Sequence, residues 1–386
     1  MPPDVMLEGE PATQAETSTT YAAHLQMPRQ EQDISRTPSQ DGVSGGPTAT
    51  AQEPLEADDA GSFENDSALG DTDDSSERTS LFSEIMKYRE ENGRRYHGYK
   101  DGSYLLPNDE TEQNRLDLNH HVFTMVNKGR GGGLYRAPID KPARVLDVGT
   151  GTGIWVMDFG DAHKESHIIG IDLSPIQPTW VTPNVEFLVD DAEDEWIGQK
   201  YDYIHIRMLA GAVKDWQGLL QKAYNHLNPG GWLECTEFEV WIKSYNDTLH
   251  NAPDIKKWQE GLQEAANKFG RTMEVAVNLE GWLKEAGFED VVEEKTVVPS
   301  SPWAKDKEMK TIGAYQLMNM LDAASSYGQA HFTRVLGWSR EEYAVLNAKV
   351  RTQLKDRSLQ LYSNLYTVYG RKPKPPKTTP DAEAAE

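Results

Sequence analysis

The sequence predicts an α/β fold, a doubly wound, mostly parallel sheet of seven strands with helices on both faces, and three observations point to it. From Arg144 onward, short apolar runs bounded by turn residues alternate with stretches of helical period, the pattern of right-handed strand–helix–strand units. The first run, Val145 to Asp147, ends in a carboxylate and leads into Gly149-Thr150-Gly151-Thr152-Gly153, after which Ile154-Trp155-Val156-Met157 opens a helix. The next two strand-like runs also end in acids, at Asp172 and at Asp190-Asp191. In open sheets of this kind ligands bind at the carboxyl ends of the strands.

The glycine spacing separates two ligand classes. Gly149, Gly151 and Gly153 let the backbone turn sharply and bring bare amides, including those of the helix N-terminus, up to a ligand. A dinucleotide fingerprint reads G-x-G-x-x-G, with a pyrophosphate over the helix start. Here the order is Asp-x-Gly-x-Gly-x-Gly. The carboxylate of Asp147 would repel a pyrophosphate and attract an ammonium or sulfonium. S-adenosylmethionine carries both cations and is the expected cofactor. A nicotinamide cofactor fits poorly, and a glycine-rich turn with no ligand is the plain alternative.

The elements follow in order. Residues 1–77 are rich in Ser, Thr, Pro, Gly and acids without apolar period, so an acidic, disordered tail is expected, either simply solvated or serving as a phosphorylated or partner-binding arm. A domain of residues 80–370 follows: an N-terminal cap over 80–140, the core sheet over 143–298, and helices with a last strand over 299–370. Leu81 to Tyr88 has helical spacing. The block Arg95 to Glu110 is polar and aromatic, and its glycines and proline argue against a continuous helix. Glu112 to Val126 returns to helical period, and a flexible loop spans Gly129 to Gly133.

Strands are expected over His167 to Leu173, Val185 to Val189, Tyr201 to Met208, Trp232 to Val240, Val291 to Val298 and Leu359 to Tyr369. Helices are expected over Trp216 to Leu227, capped by Asp215 and stopped by Asn228-Pro229-Gly230-Gly231, then over Ile255 to Phe269 and Leu279 to Ala286. A further helix over Met309 to Leu321 carries Met318 and Met320, read as core filler. Ser339 is the expected N-cap of the last helix, and residues 371–386 form a second disordered tail.

Candidate site residues stand at the strand ends. Asp172 lies 19 residues beyond Gly153, close to the separation at which such sheets place a ribose-binding acid. Asp191 would accept from an adenine amino group while the Ala192 amide donates to a ring nitrogen. Arg207 and Tyr104 are the candidates for placing the methionine end. His205, Arg207 and Glu237 are expected near the mouth, with His205 read as a satisfied core histidine rather than a base. Tyr96, His97, Tyr104 and His120 come from the N-terminal block, and residues 95–120 are expected to form a lid over the cofactor. The competing reading is that these aromatics only pack the first helix onto the sheet. No catalytic base stands out.

Composition sets bounds. A net charge of −23 argues against direct binding to nucleic acid phosphates. The single cysteine, Cys235, excludes a disulfide framework and a cysteine-based zinc site, and no metal is expected. No apolar run approaches the roughly 20 residues needed to span a bilayer, and no secretory signal is present. A soluble intracellular protein of the cytoplasm or nucleus, without membrane contact, is expected.

These residues carry a family resemblance. Leu146 to Trp155, Ile169 to Pro178, Asp190-Asp191-Ala192-Glu193 and Tyr203 to Met208 resemble the glycine loop, second strand, adenine segment and fourth strand of class I methyltransferases. Tyr96-His97, Tyr104, Leu106 to Glu110 and Ile176-Gln177-Pro178 resemble the fungal LaeA-like branch. The resemblance covers Ser80 to Tyr369 and implies a Rossmann-like fold, S-adenosylmethionine as cofactor and methyl transfer. Thr150 stands where the loop of the founding regulator has a cysteine, so the chain resembles a paralogue rather than that regulator. Two functions follow from the resemblance: methylation of a small molecule on O, N or S in fungal secondary metabolism, or regulation of secondary metabolism and development through velvet-type protein partners.

Overall fold

In the computed structural model the described residues are 88–100, 102, 104–128 and 131–376, with the backbone of Leu25–Gln26. The expected disorder of residues 1–77, the start of the helix at Leu81 and the last ten residues lie outside them, Leu25–Gln26 apart. The strands are β1 (Leu25–Gln26), β2 (Arg89–Glu91), β3 (Arg94–Tyr96), β4 (Arg144–Val148), β5 (His167–Asp172), β6 (Val185–Val189), β7 (Tyr201–Arg207), β8 (Leu227–Phe238), β9 (Lys243–Ser244), β10 (Glu289–Pro299) and β11 (Leu361–Arg371). The helices are α1 (Glu110–Val126), α2 (Ile154–Ala162), α3 (Trp216–His226), α4 (Pro253–Lys268), α5 (Leu279–Glu285), α6 (Lys307–Ala330) and α7 (Arg340–Lys355).

The main sheet runs β1-β6-β5-β4-β7-β8-β11-β10, with β9 pairing beside β11. From β6 through β8 every pairing is parallel, and β11 is inserted antiparallel to both neighbours. The seven expected strands are therefore present, in the doubly wound order. The reversal of direction at β4 opens a cleft between the ends of β4 and β7, as the switch-point rule requires. Two short strands extend the sheet beyond expectation: β9, and β1 from within the N-terminal tail.

Alternation along the strands builds the two faces. Leu146, Val148, Ile169, Ile171, Ile204 and Ile206 face one way and pack under α3 and α5. Val145, Ile168 and Tyr203 face the other way, under Trp155, Val156 and Phe159 of α2. A separate helical layer of α4, α6 and α7 has its own core around Trp258, Leu262, Phe332, Tyr343 and Leu346. Val122 and Phe123 of α1 join it to the sheet by packing on Val298, Ile312 and Leu365.

Several boundaries differ from the sequence reading. β8 begins at Leu227 and absorbs the Pro-Gly-Gly segment, because Gly230 and Gly231 exchange backbone hydrogen bonds with Lys372 at 2.8 Å each. Lys372 is thus anchored, although the tail was expected to begin at 371. α6 continues past Leu321 to Ala330, and its continuation, Ala323-Ala324-Ser325-Ser326, has small residues that carry no periodic signal but allow close helix packing. Met318 is 55% exposed, which corrects its reading as core filler, whereas Met320 does pack against the helical core. The block before α1 contains a small hairpin, β2–β3, that local composition did not reveal. Ser339 caps α7 through a reciprocal capping box with Glu342.

Gly328 shows how tight the helical layer is. A β-carbon there would overlap the Tyr343 hydroxyl, which is buried and donates to the Ala324 carbonyl. Gly328→Ala should therefore destabilise the protein by about 1–3 kcal/mol, as overpacking does, without weakening S-adenosylhomocysteine binding. Thermal melts and titration calorimetry check this, and an unchanged melting temperature would mean that Tyr343 has room to move.

Candidate active site

The turn from β4 into α2 is fixed by backbone geometry. Gly149, Gly151 and Gly153 all have positive φ, at 69°, 58° and 79°, a region that side chains disfavour. The Gly149 and Thr150 amides both donate to the Ile171 carbonyl at 2.9 Å, and the Gly151 amide donates to Asp172 Oδ2 at 2.8 Å. The glycine loop is thus lashed to the end of β5. Gln177 Nε2 holds it from the other side by donating to the Gly151 carbonyl at 2.6 Å. Thr152 donates to Asp117 Oδ1 of α1 at 2.6 Å.

A cavity of about 160 Å³ lies above this loop. The structure brings together there Tyr104, Asp147, Gly149, Gly151, Asp172, Asp191, Ala192 and Arg207, eight of the nine residues expected at the cofactor. Gly153 stands behind them as the N-cap of α2, where a β-carbon would strike the ring of Phe187. Asn108, Asn119 and His120 also line the cleft.

Each strand-end acid has a distinct environment. Asp172 accepts from the Gly151 amide and, through Oδ1, from the Ser174 amide at 2.9 Å. Burial pushes its carboxyl up to about 6 despite those two donors. Asp191 Oδ2 pairs with Lys100 at 2.7 Å, and its Oδ1 accepts from the Glu193 amide at 2.8 Å. Burial works against the charge of Lys100, but the Asp191 and Asp194 carboxylates more than offset it and hold its pKa above the ordinary range. The N-terminal block is thereby clasped over this end of the cleft.

Asp147 is oriented from within the protein: its Oδ1 accepts from His205 Nδ1 at 2.7 Å, and the carboxylate also borders the cleft. His205 is 2% exposed and stacks on Trp155 with ring centroids 3.9 Å apart, and burial holds its pKa below the ordinary value. It is the satisfied core histidine the sequence suggested. Arg207 contacts His120 Nδ1 at 3.1 Å, whose Nε2 meets Asp158 Oδ2 at 2.9 Å. Burial lowers Arg207 to about 10, still cationic at neutral pH, and its guanidinium lies 4.8 Å from the Phe123 ring centroid.

The N-terminal aromatics divide. Tyr96 is 1% exposed, packs with Leu105 and Ala330, and lies under the Arg334 guanidinium. His97 bonds the carbonyls of Tyr99 and Tyr104 and so shapes the loop from beneath. Tyr104 alone of the three lines the cleft.

Glu237 does not face the cofactor cleft. It lines a second cavity, between β8 and the helical layer. Oε1 accepts from the Leu209 amide at 2.5 Å, Oε2 has no hydrogen-bond partner, and burial pushes the carboxyl up to about 8. Two further residues of the site, Gln177 and Lys100, have no signal of their own in the sequence, and the partners of Lys100 lie some ninety residues away. Among the described residues no cluster of His, Cys, Asp or Glu is arranged to hold a metal, and no helix is long and apolar enough to cross a membrane.

The Glu237 environment has a pH signature. Its carboxyl rises from about 4.5 to about 8 on folding, so across that window the folded chain binds more protons and stability falls as pH rises. Glu237→Gln removes this dependence. The advantage of the variant over wild type in melting temperature should grow by a few degrees between pH 5 and pH 8; the same difference at both pH values would contradict the assignment.

Comparison with known proteins identifies the family. A family model described as a methyltransferase domain matches residues 129–294. The chain is 41% identical to methyltransferase pytC of Aspergillus terreus over 84% of its own length and 98% of that protein. It is 34% identical to the secondary metabolism regulator laeA of Aspergillus fumigatus, over 74% of this chain and 76% of that one. Among solved structures, phosphoethanolamine N-methyltransferase 2 of Haemonchus contortus superposes with a TM-score of 0.42 at 16% identity, covering 77% and 73% of the two chains. The chain therefore belongs to the LaeA-like, S-adenosylmethionine-dependent methyltransferases.

Proposed function

We propose that the protein methylates a small molecule in fungal secondary metabolism, using the cleft above the β4–α2 turn for S-adenosylmethionine. The observation that supports this reading most is the placement of Asp172. Its half-buried carboxylate already orders the glycine loop, yet with four lone-pair sites it retains capacity for vicinal ribose hydroxyls. Thr150 Oγ1 is buried in the same cleft without a hydrogen-bond partner, so the residues present fit a polar ligand there.

Under this reading Asp172 holds the ribose, and Asp191 with the Ala192 amide reads the adenine edge. Lys100 must share Asp191, which its remaining lone pairs allow. Arg207 takes the methionine carboxylate, and Tyr104 closes the cleft beside it. Asp147, steadied by His205, faces the cationic end. Bound S-adenosylmethionine supplies a methyl group on a sulfonium. The chain's contribution is alignment, which is worth about 7–11 kcal/mol in well-ordered displacements, together with exclusion of water by the N-terminal block.

The second reading is regulatory, acting through velvet-type partners. It draws on the laeA relatives, at 34% identity. The greater identity and nearly full coverage of pytC, named as a methyltransferase, support an enzymatic role over it.

Incubation with methyl-tritiated S-adenosylmethionine and extracts of the source cells separates the two. Label should enter the organic-soluble metabolites, and Asp172→Ala should abolish it while raising the S-adenosylhomocysteine dissociation constant by roughly ten- to a hundredfold, the loss of a hydrogen bond to a charged group. NAD should not bind. Label confined to protein, or an unchanged dissociation constant, would contradict the reading.

A further inference from the structure

The second cavity, of about 90 Å³, lies between β8, α4 and α6. Met208, at the end of β7, lines both this room and the cofactor cleft. A small void of about 10 Å³ shares Tyr104 with the cleft and Ala210, Met273 and Tyr327 with the inner room. A hydrogen bond of 3.0 Å from Asn319 of the inner room to Asn119 of the cleft completes the partition. The two rooms are thus adjoining spaces behind one thin wall.

We propose that this inner room receives the methyl acceptor, an uncharged and mostly apolar small molecule anchored through a carbonyl or hydroxyl oxygen on Glu237. The proposal rests on the methyltransferase reading and names the acceptor's chemistry. The walls decide its class. Phe238, Ile242, Leu262 and three methionines, Met208, Met273 and Met320, supply apolar and adaptable surface. Every other charge in the room is already matched. Arg115 is held by both oxygens of Glu112, within 3.0 Å, and by Asn319. Glu239 is held by Lys243 and Asn364, also within 3.0 Å. An ionised acceptor would find no counter-ion there, and an unpaired buried charge costs several kcal/mol.

Glu237 is the exception that gives the room a polar anchor. The residue is fully buried, and its Oε2 has no protein partner. The Leu209 amide donates to Oε1 and the Ala210 amide also bonds the carboxyl, which leaves Oε2 as the atom through which a protonated acid can donate to a ligand. A carboxylic acid kept neutral by an apolar site is an effective hydrogen-bond donor to a carbonyl. The room is smaller than the ~150 Å³ cavity that accommodates benzene, so a ringed acceptor must displace the methionine walls or extend past Met208 into the cleft. The second alternative would bring it beside the transferable methyl group.

The test uses the full-length protein saturated with S-adenosylhomocysteine, whose own affinity is measured first by calorimetry. The probes are 7-methoxycoumarin, a neutral fluorescent carbonyl compound, and coumarin-3-carboxylate, its charged counterpart. The neutral probe should bind at least tenfold more tightly than the carboxylate without displacing S-adenosylhomocysteine. Glu237→Gln, which also offers an N–H donor, should retain binding within about threefold. Glu237→Leu should weaken it at least tenfold, and Met320→Trp, which fills the room from α6, should abolish it. All three variants should keep wild-type affinity for S-adenosylhomocysteine. Failure of the neutral probe to bind, equal binding of the carboxylate, or full binding by Glu237→Leu or Met320→Trp overturns the proposal. Loss of S-adenosylhomocysteine binding by the wild type would instead overturn the cofactor reading.

Discussion

The site depends on one set of short hydrogen bonds, those that tie the glycine turn after β4 to the end of β5. Two amides of the turn share the Ile171 carbonyl, and a third reaches the carboxylate of Asp172. The turn can lie this close only because its glycines accept left-handed backbone angles without a side-chain penalty. With the turn fixed, α2 starts where Trp155 can cover His205, and the ends of β4 and β7 remain apart as a cleft. The sheet provides the platform, and this lashing decides what the platform presents.

Acids with little or no contact with solvent run through the architecture. Asp172, Glu234 and Glu237 are all pushed upward by burial, to about 6, 7 and 8. Each nevertheless accepts backbone amides: Glu234 takes those of Arg136 and Ala137 and so closes the loop before β4. Glu234 therefore serves the fold alone. Asp172 serves the fold and the cofactor cleft together, and Glu237 borders the inner room with one oxygen unmatched. Such groups lower stability at high pH, a cost that proteins commonly bear where a site needs a tuned carboxyl.

What was legible in the sequence was what local pattern encodes. The short apolar run Val185 to Val189 is a strand over those same residues, and the turn glycines with Asp172 mark the cleft. What was not legible depends on partners far along the chain. Tyr96 stacks under Arg334, Arg115 reaches Asn319 and Lys100 reaches Asp191, and no window of neighbouring residues contains both ends of such a pair. The same limit explains Glu237. Its place near a strand end suggested the mouth of the cleft, but the alternation of β8 and the helical layer above it put the side chain in the adjoining room. The second half of α6 is hidden from such a window because small residues that permit close packing carry no hydrophobic period.

Hydrogen–deuterium exchange of the full-length protein, with and without S-adenosylhomocysteine, tests most directly whether the lashed turn is the cofactor site. The account predicts new protection in four segments: residues 104–108, 147–153, 171–177 and 190–193, all of which contribute to the cleft or its bracing. Protection that spared 147–153 and 171–177 and appeared elsewhere would contradict it.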